Sequence, residues 1–319
     1  VNPRACHETQ LAYKPTNAPK RIAVVGAGPA GLAYSTIAAE RGHKVDLFDQ
    51  SPEIGGQFNL AKRIPGKEEF HETLRYFKRQ IEVTGVNAKL GKRVDADFLK
   101  SGAYDEIVLA TGIAPRTPGI KGIDHPSVVG YIDAILGNKP IGKRVAIIGA
   151  GGIGFDVAEL ITHVGKSSAL DIDKFAKEWG IDFENHPRGG VTGVEPVIEE
   201  SPREVWLLQR KNTAVGKGLG KTTGWTHRLT LNRKGVKMIP GVTYESIDDA
   251  GLHCLVDGAP MTLEVDTIIL CAGQEPLRDV YDAFEESAEN VSLVGGAYEA
   301  AELDAKRAIN QAARLAAQV

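Results

Sequence analysis

Short apolar runs that lead into glycine recur along the chain and predict buried parallel strands. Residues 22–25 (Ile-Ala-Val-Val) are followed at once by a glycine turn and then by the small residues that open a helix. Residues 145–148 (Val-Ala-Ile-Ile) repeat this pattern. Strands that are buried on both faces have continuous apolar runs instead of alternating ones. The hydrophobic pattern therefore predicts an α/β fold with parallel sheets.

Three further runs predict strands that join or close these sheets. They lie at residues 106–110, 267–271 and 291–294, and glycine follows each within two residues. The first run ends in Ala-Thr-Gly at residues 110–112, a motif typical of flavoenzymes whose chain crosses from one nucleotide domain to the next. We expect the second run to lead back to the first domain and the third to close it.

Helical spacing of apolar residues marks two longer segments. Residues 67–84 place large apolar side chains three or four positions apart, which predicts a helix facing the core. An alanine-rich stretch predicts a helix from Tyr298 to the C-terminus. Residues 86–94 predict one strand, and residues 238–257 predict short strands joined by glycine turns.

The first glycine turn has the spacing of a dinucleotide-binding fingerprint. Gly26 permits the tight turn, Gly28 lets the backbone approach a pyrophosphate, and Gly31 lets the helix pack on the strand. The next predicted strand ends in Asp49, about twenty residues on, where a ribose hydroxyl is expected. Residues 55–57 (Gly-Gly-Gln) then form either a plain turn or, as we expect here, a second approach to the cofactor.

The second glycine turn, residues 149–154, has a different strand end. The strand at residues 204–209 is followed by Arg210 and Lys211 instead of an acid. Basic side chains at this point accommodate a 2′-phosphate, whereas an acid suits a 2′-hydroxyl. A solvated basic turn is the alternative. The pattern favours NADP(H), and Lys217 and Lys221 in the following Gly-rich loop are candidates for further phosphate contacts.

Two segments stand outside the repeated pattern. Residues 1–20 contain three prolines and no clear period, and they predict an extended lead-in or linker. Residues 166–203 are polar and Pro/Gly-containing, with one amphipathic piece, and they interrupt the second nucleotide unit. We interpret them as an insertion or lid.

Composition excludes several classes of protein. The chain has 319 residues, room for two domains, and a net charge of −3 that gives no global attraction to nucleic acid or membrane. No apolar run reaches the roughly 18 residues of a transmembrane helix. The three cysteines include no C-x-x-C redox pair and suit a reducing cytoplasm. Because the chain starts with Val1 instead of Met, we expect a fragment.

With these residues in view, the chain resembles the C-terminal part of the bacterial NADPH-dependent 2,4-dienoyl-CoA reductases over essentially its whole length. The motifs that carry this resemblance are residues 2–6 (Asn-Pro-Arg-Ala-Cys), 55–59 (Gly-Gly-Gln-Phe-Asn), 208–211 (Leu-Gln-Arg-Lys), 218–225 (Gly-Leu-Gly-Lys-Thr-Thr-Gly-Trp) and 271–276 (Cys-Ala-Gly-Gln-Glu-Pro).

The resemblance implies a place in a longer electron-transfer enzyme that acts in unsaturated fatty acid β-oxidation. Family members carry an N-terminal TIM barrel with FMN and the substrate site, then a cysteine-ligated 4Fe-4S cluster, then the domains seen here. Hydride passes from NADPH to FAD, and electrons continue through the cluster to FMN. This sequence has neither the barrel pattern nor four clustered cysteines. The resemblance therefore implies that it retains only the electron-entry half-reaction, with the missing FMN and iron–sulfur domain as electron acceptor.

The resemblance also implies cofactor contacts at matching positions. No acid–base residue and no metal ligand is assigned, because hydride transfer between bound cofactors needs neither. Gly295 and Gly296 stand where family members usually have Gly-Asp, which leaves only backbone contacts near the flavin. The FAD contacts are Gly26, Gly28, Ala30, Gly31, Asp49, Gln57, Lys67, Val94, Thr111, Gly112, Gly295 and Gly296. The NADPH contacts are Gly149, Gly151, Gly152, Gly154, Arg210 and Lys211.

These observations predict two Rossmann-like domains, the second inserted into the first. Residues 21–120 and 272–319 form the expected FAD domain, and residues 121–271 form the expected NADPH domain. The predicted activity is hydride transfer from NADPH to FAD. Two alternatives stay open: a free-standing NADPH:acceptor reductase, and a nucleotide-binding scaffold without turnover, as in the related trimethylamine dehydrogenases.

Overall fold

Two five-stranded parallel sheets form the frame of the structure, a computed structural model that describes residues 2–185, 193–284, 290–300 and 304–319. The chain divides into two compact units. The first contains residues 1–61, 69–114 and 274–319, and the second contains residues 62–68 and 115–273.

The strands of the described residues are numbered in chain order. They are β1 (Arg21–Val25), β2 (Lys44–Phe48), β3 (Asn87–Lys89), β4 (Glu106–Leu109), β5 (Ile113–Pro115), β6 (Val128–Gly130), β7 (Arg144–Ile148), β8 (Glu204–Leu208), β9 (Lys237–Ile239), β10 (Val242–Asp248), β11 (Gly251–Val256), β12 (Ala259–Leu263), β13 (Thr267–Leu270), β14 (Gln274–Pro276) and β15 (Val291–Leu293).

The helices are numbered in the same way. They are α1 (Pro29–Glu40), α2 (Phe58–Ala61), α3 (Phe70–Thr84), α4 (Ala96–Ser101), α5 (Tyr131–Leu136), α6 (Gly152–Thr162), α7 (Ile172–Trp179), α8 (Gly224–Arg233), α9 (Asp279–Asp282) and α10 (Ala305–Ala316), with short 3-10 helices at Ser168–Leu170 and Gly295–Ala297.

The sheet of the first unit has the strand order β15-β4-β1-β2-β3. Its central strand β1 is buried from Ile22 to Val25, as its unbroken apolar run predicts. Helix α1 follows, and every residue from Ala30 to Ala38 is buried. The alanines of α10 pack against α1, where their small side chains allow close approach. The sheet core thus fixes the turn between β1 and α1.

The second unit repeats this plan with the order β6-β13-β7-β8-β9. β7 is buried from Val145 to Ile148 and leads through a glycine turn into α6. A separate antiparallel sheet, β10-β11-β12, supplies the short strands that the sequence predicts. The predicted α/β fold with two Rossmann-like units is therefore confirmed.

Element boundaries differ from the sequence predictions in several places. The helix predicted over residues 67–84 begins at Phe70, because residues 62–68 belong to the second unit. The strand predicted over residues 86–94 is short, since Gly91 adopts a φ of +68° and turns the chain. The C-terminal helix begins at Ala305 with Asp304 as its cap.

Contacts within the structure define the two units, and the boundaries of the cofactor domains stay a prediction. The chain passes between the units at residues 61/62, 68/69, 114/115 and 273/274, and the predicted domains have their boundaries at residues 120/121 and 271/272. Which cofactor each unit binds stays a prediction. The insertion at residues 166–203 contains α7, whose N-terminus is capped by Asp171, and part of it lies outside the described residues.

Helix length bears on membrane crossing. The longest helix among the described residues, α3, has 15 residues, and none there combines the length and apolar character that a bilayer crossing needs.

Candidate dinucleotide-binding sites

The first glycine turn is closed by contacts that only glycine permits. Gly26 has a φ of +108°, and a Cβ added there would lie 2.2 Å from the carbonyl oxygen of Ala110. A Cβ added to Gly31 would lie 1.8 Å from the carbonyl oxygen of Gly26. Gly26 and Gly31 therefore have structural roles. Gly26 lets the turn lie against the end of the neighbouring strand β4, and Gly31 lets α1 begin directly beside the turn.

Gly28 differs from these two glycines because a Cβ added there would meet no close contact. The nearest atom to a Cβ added there is the Cα of Gly56, at 3.9 Å. Gly28 is the N-cap of α1, and no side chain caps this helix end. Unpaired N–H groups and the positive end of the helix dipole thus face a cradle that a Cβ would fill, which fits a pyrophosphate.

The acid after β2 is held in place by the backbone of the turn. One carboxylate oxygen of Asp49 accepts a hydrogen bond from the Ala27 N–H at 2.6 Å, and the other accepts one from the Ser51 N–H at 2.7 Å. A carboxylate oxygen accepts more than one hydrogen bond, so Asp49 retains acceptor capacity for ribose hydroxyls.

The glycines at the end of β15 lie beside the start of α1. Gly295 has a φ of +65°, and a Cβ added there would lie 2.8 Å from the Cβ of Ala30. A Cβ added to Gly296 would lie 3.1 Å from the carbonyl carbon of Gly112. The structure therefore brings four predicted FAD contacts together: Ala30, Gly112, Gly295 and Gly296.

Two neighbouring hydrogen bonds stabilise this arrangement. The Thr111 hydroxyl donates to the carbonyl oxygen of Leu277 at 2.6 Å, and the Gly295 N–H donates to the side chain of Gln311 at 2.8 Å. Sequence reasoning missed Gln311. The only signal was a polar residue beside the buried alanines of α10.

Three other predicted FAD contacts have different surroundings. Gln57 is half-buried just before α2, whereas the Val94 side chain is buried in the core with Phe48 and Leu99. The Val94 side chain is therefore not available to a ligand. Lys67 belongs to the second unit, where its ammonium lies 2.6 Å and 2.7 Å from the two carboxylate oxygens of Asp156.

The second glycine turn reproduces the geometry of the first. Gly149 has a φ of +109°, and a Cβ added there would lie 2.4 Å from the carbonyl oxygen of Cys271. A Cβ added to Gly154 would lie 1.9 Å from the Gly149 carbonyl oxygen. Gly151 and Gly152 have nothing within 4 Å of an added Cβ, and no side chain caps α6. This turn also fits a pyrophosphate.

The basic pair after β8 is available to a ligand. Arg210 and Lys211 are exposed, and within the described part of the chain neither has a carboxylate within ion-pair distance. The same exposure applies to Lys217 and Lys221. Two uncompensated cations at the strand end suit a phosphate.

A cleft in the second unit contains groups that sequence reasoning missed. His227 on α8 bonds through its Nδ1 to a Glu159 carboxylate oxygen at 2.6 Å, which raises the pKa of the imidazole. The adjoining cavity has a volume of about 450 Å³ and is also lined by Lys67, Trp179 and Lys234. Burial lowers the pKa of Lys234. No local sequence signal marks these residues, since Glu159 and His227 are 68 positions apart.

All three cysteines are free thiols. Cys6 is exposed, whereas Cys254 and Cys271 are buried, and burial raises the pKa of both buried thiols. The described residues contain no group of three or more His, Cys, Asp or Glu placed to hold a metal ion.

Comparison with known proteins identifies the family of the chain. Residues 20–297 match the family described as pyridine nucleotide-disulphide oxidoreductase. A metal reductase of Desulforamulus reducens is 28% identical over 303 residues, which cover 93% of this chain and 44% of that protein. An NADH oxidase of Thermoanaerobacter brockii is 31% identical over 269 residues, 81% of this chain and 41% of that protein.

A solved structure extends the comparison to the whole chain. The complex of 2-naphthoyl-CoA reductase with 2-naphthoyl-CoA superposes with a TM-score of 0.82 at 27% identity, covering 100% of this chain and 43% of that one. The chain thus spans less than half the length of these relatives. With two Rossmann-like units and a family match over most of its length, the chain belongs to the pyridine nucleotide-disulphide oxidoreductase family and is a flavin-dependent oxidoreductase module.

Proposed function

We propose that the chain is the electron-entry module of an NADPH-dependent reductase of the 2,4-dienoyl-CoA reductase type. In this proposal FAD binds to the first unit and NADPH to the second. One observation carries it: two glycine turns of the same geometry are followed by different strand ends. The first turn has the carboxylate of Asp49 beside it, and the second is followed by the exposed cations Arg210 and Lys211.

The FAD assignment is supported by residues that meet around the start of α1. Gly28 leaves a cradle for the pyrophosphate, and Asp49 offers acceptors to a ribose. Gly295 and Gly296 lie beside Ala30 and Gly112, in space too tight for a Cβ on either glycine. Gln57, Lys67, Val94 and Thr111 stay in the proposed FAD set by resemblance.

The NADPH assignment depends on charge. A 2′-phosphate that approached Asp49 would meet a carboxylate, whereas one at the end of β8 would meet Arg210 and Lys211. We therefore assign the nucleotide carrying a 2′-phosphate to the second unit, with Gly149, Gly151, Gly152 and Gly154 forming its pyrophosphate turn.

The proposed chemistry belongs to the cofactors, which when bound supply hydride transfer from nicotinamide to flavin. The chain's own residues bind the two nucleotides, and Arg210 and Lys211 give the 2′-phosphate a positively charged site. We assign no acid–base residue and no metal ligand to this step. The proposed electron acceptor is an FMN and iron–sulfur barrel domain outside this sequence. The solved relative is likewise a reductase of a CoA thioester.

The test is anaerobic reduction of the chain saturated with FAD. NADPH and NADH are added in turn, and bleaching of the flavin absorbance is followed. We expect NADPH to bleach the flavin faster than NADH at equal concentration. Bound FAD that neither nucleotide reduces would overturn the proposal and favour a nucleotide-binding scaffold. Faster reduction by NADH would reject the nucleotide assignment and favour an oxidase like the Thermoanaerobacter relative, whose name specifies NADH.

A further inference from the structure

Asp49 and Gln209 occupy equivalent positions in the two units. Asp49 follows β2, which pairs with β1, and Gln209 follows β8, which pairs with β7. In both units the backbone N–H and carbonyl of this residue bond to the segment on the same neighbouring side. The bonds are Asp49 N–H to Lys89 O (3.3 Å), Lys92 N–H to Asp49 O (2.8 Å), Gln209 N–H to Ile239 O (2.9 Å) and Val242 N–H to Gln209 O (2.9 Å). The equivalence therefore rests on backbone pairing as well as on sequence.

The Asp49 side chain accepts hydrogen bonds from the backbone, whereas the Gln209 side chain donates them. Asp49 is an acceptor and binds the backbone N–H groups of Ala27 and Ser51. The Gln209 amide nitrogen is a donor, bonding to the carbonyl oxygens of Lys211 at 2.9 Å and Thr213 at 2.7 Å. A carboxylate cannot donate these bonds, so an acid at position 209 would lose both of them.

The Gln209 amide thereby holds the loop that carries the basic pair. The Lys211 carbonyl oxygen accepts a second hydrogen bond, from the Gly241 N–H at 3.2 Å. The backbone around Lys211 is thus tied at two points, while the Arg210 and Lys211 side chains remain exposed. A backbone fixed before binding loses less conformational freedom when these side chains engage a phosphate.

We propose that Gln209 is a positioning residue for nucleotide specificity, an inference that rests on the proposed function. Its amide fixes the backbone of residues 210–213 so that Arg210 and Lys211 face the 2′-phosphate of NADPH. Its lack of charge also leaves this strand end without the carboxylate that Asp49 places at the other one. A merely structural role would affect all nucleotides equally, whereas this role affects only those with a 2′-phosphate.

The test compares two probes on the full chain by calorimetry: adenosine 2′,5′-bisphosphate and adenosine 5′-monophosphate. Gln209→Leu removes both donated hydrogen bonds. We expect it to weaken binding of the bisphosphate about tenfold and to change the affinity for the monophosphate less than about twofold. Gln209→Glu adds a carboxylate, so we expect a larger loss for the bisphosphate and tighter monophosphate binding. Gln318→Leu, at an exposed glutamine in the first unit, is the matched control and should change neither affinity.

The outcomes separate this inference from the proposed function. If wild type binds both probes equally, the proposed NADPH preference fails, and the role of Gln209 fails with it. Suppose that wild type prefers the bisphosphate. If Gln209→Leu keeps that preference, or lowers the affinity for both probes by the same factor, only the role of Gln209 is overturned. Gln209→Glu gives an independent answer if the leucine variant does not fold, since unchanged discrimination in it would also reject the inference.

Discussion

Lys67 and Asp156 form an ion pair in which the ammonium contacts both carboxylate oxygens, at 2.6 Å and 2.7 Å. Asp156 lies on α6, two residues after the last glycine of the second turn. Lys67 lies in the short segment, residues 62–68, that leaves the first unit and packs with the second. The pair therefore fastens this segment to the helix that begins at the proposed pyrophosphate site.

We predict that this pair contributes measurably to stability. Both side chains are about a third exposed or less, so solvent screening reduces the interaction without abolishing it. A double-mutant cycle with Lys67→Met and Asp156→Asn, measured by urea unfolding, should give a coupling energy of about 1 kcal/mol. The exposed pair Arg75–Glu72 is the matched control and should give a smaller coupling energy. Strictly additive effects at Lys67 and Asp156 would contradict the prediction.

We predict that two glycines of the first turn respond differently to the same substitution. Gly28→Ala places its Cβ 3.9 Å from the nearest atom, an ordinary van der Waals contact, so the protein should lose only about 1 kcal/mol of stability. The added Cβ fills the cradle, so FAD affinity should fall about tenfold or more. Gly31→Ala places its Cβ 1.8 Å from a carbonyl oxygen and should destabilise the fold by about 3 kcal/mol.

Thermal unfolding and flavin absorbance of the purified variants check this pair of expectations. Gly31→Ala is the matched comparison because it also adds a single Cβ, at a glycine three residues further along the same turn. Normal FAD retention by a folded Gly28→Ala protein would mean that the first turn is not the pyrophosphate site.

The glycine turns are the part of the molecule that sequence could predict in detail. Gly26 and Gly149 stand after apolar runs, and their left-handed backbone is a local requirement that the spacing reveals. The strands that flank them follow from continuous hydrophobic runs. Local signals of this kind depend on neighbouring residues only, so a single sequence contains them.

The side-chain pairs of the second unit could not be predicted in this way. Lys67 and Asp156 are 89 positions apart, and ordinary charged residues carry no mark of their partners. The placement of residues 62–68 in the second unit was unpredictable for the same reason, because it depends on contacts with residues distant in sequence. Val94 illustrates a different difficulty. The resemblance assigns it a cofactor contact, but its side chain is packed in the hydrophobic core.

We predict that the free energy of unfolding depends on the protonation of His227. The hydrogen bond that the His227 ring donates to the Glu159 carboxylate raises the pKa of His227 above its ordinary value of 6.5. A group with a raised folded-state pKa stabilises the protein fully below the unfolded pKa, and the contribution disappears as pH rises through the folded pKa. The free energy of unfolding of wild type relative to His227→Gln should therefore decrease as pH increases above 6.5.

Urea unfolding across this pH range measures the difference. His71→Gln, at an exposed position on α3, is the matched control and should leave the pH profile of wild type unchanged. A constant difference between wild type and His227→Gln at all pH values would show that protonation of His227 is not coupled to folding.

We predict that the basic pair after β8 distinguishes NADPH from NADH. Arg210 and Lys211 are exposed, and no carboxylate of the described residues lies within ion-pair distance of either, so their charge is available to the 2′-phosphate. Replacing both by alanine should weaken NADPH binding about 100-fold, since each charge-assisted contact contributes roughly 1.5 kcal/mol. NADH has no 2′-phosphate, so its affinity should change less than about threefold.

Dissociation constants for the two nucleotides, measured at several salt concentrations, check this expectation. The NADPH affinity of wild type should fall as salt increases, and the double variant should lose most of that dependence because screening acts on the removed charges. Lys139→Ala with Lys143→Ala removes two exposed charges from the same unit and controls for net charge. Equal weakening of NADPH and NADH in the Arg210/Lys211 variant would exclude a 2′-phosphate role, because only NADPH carries the group these residues are proposed to bind.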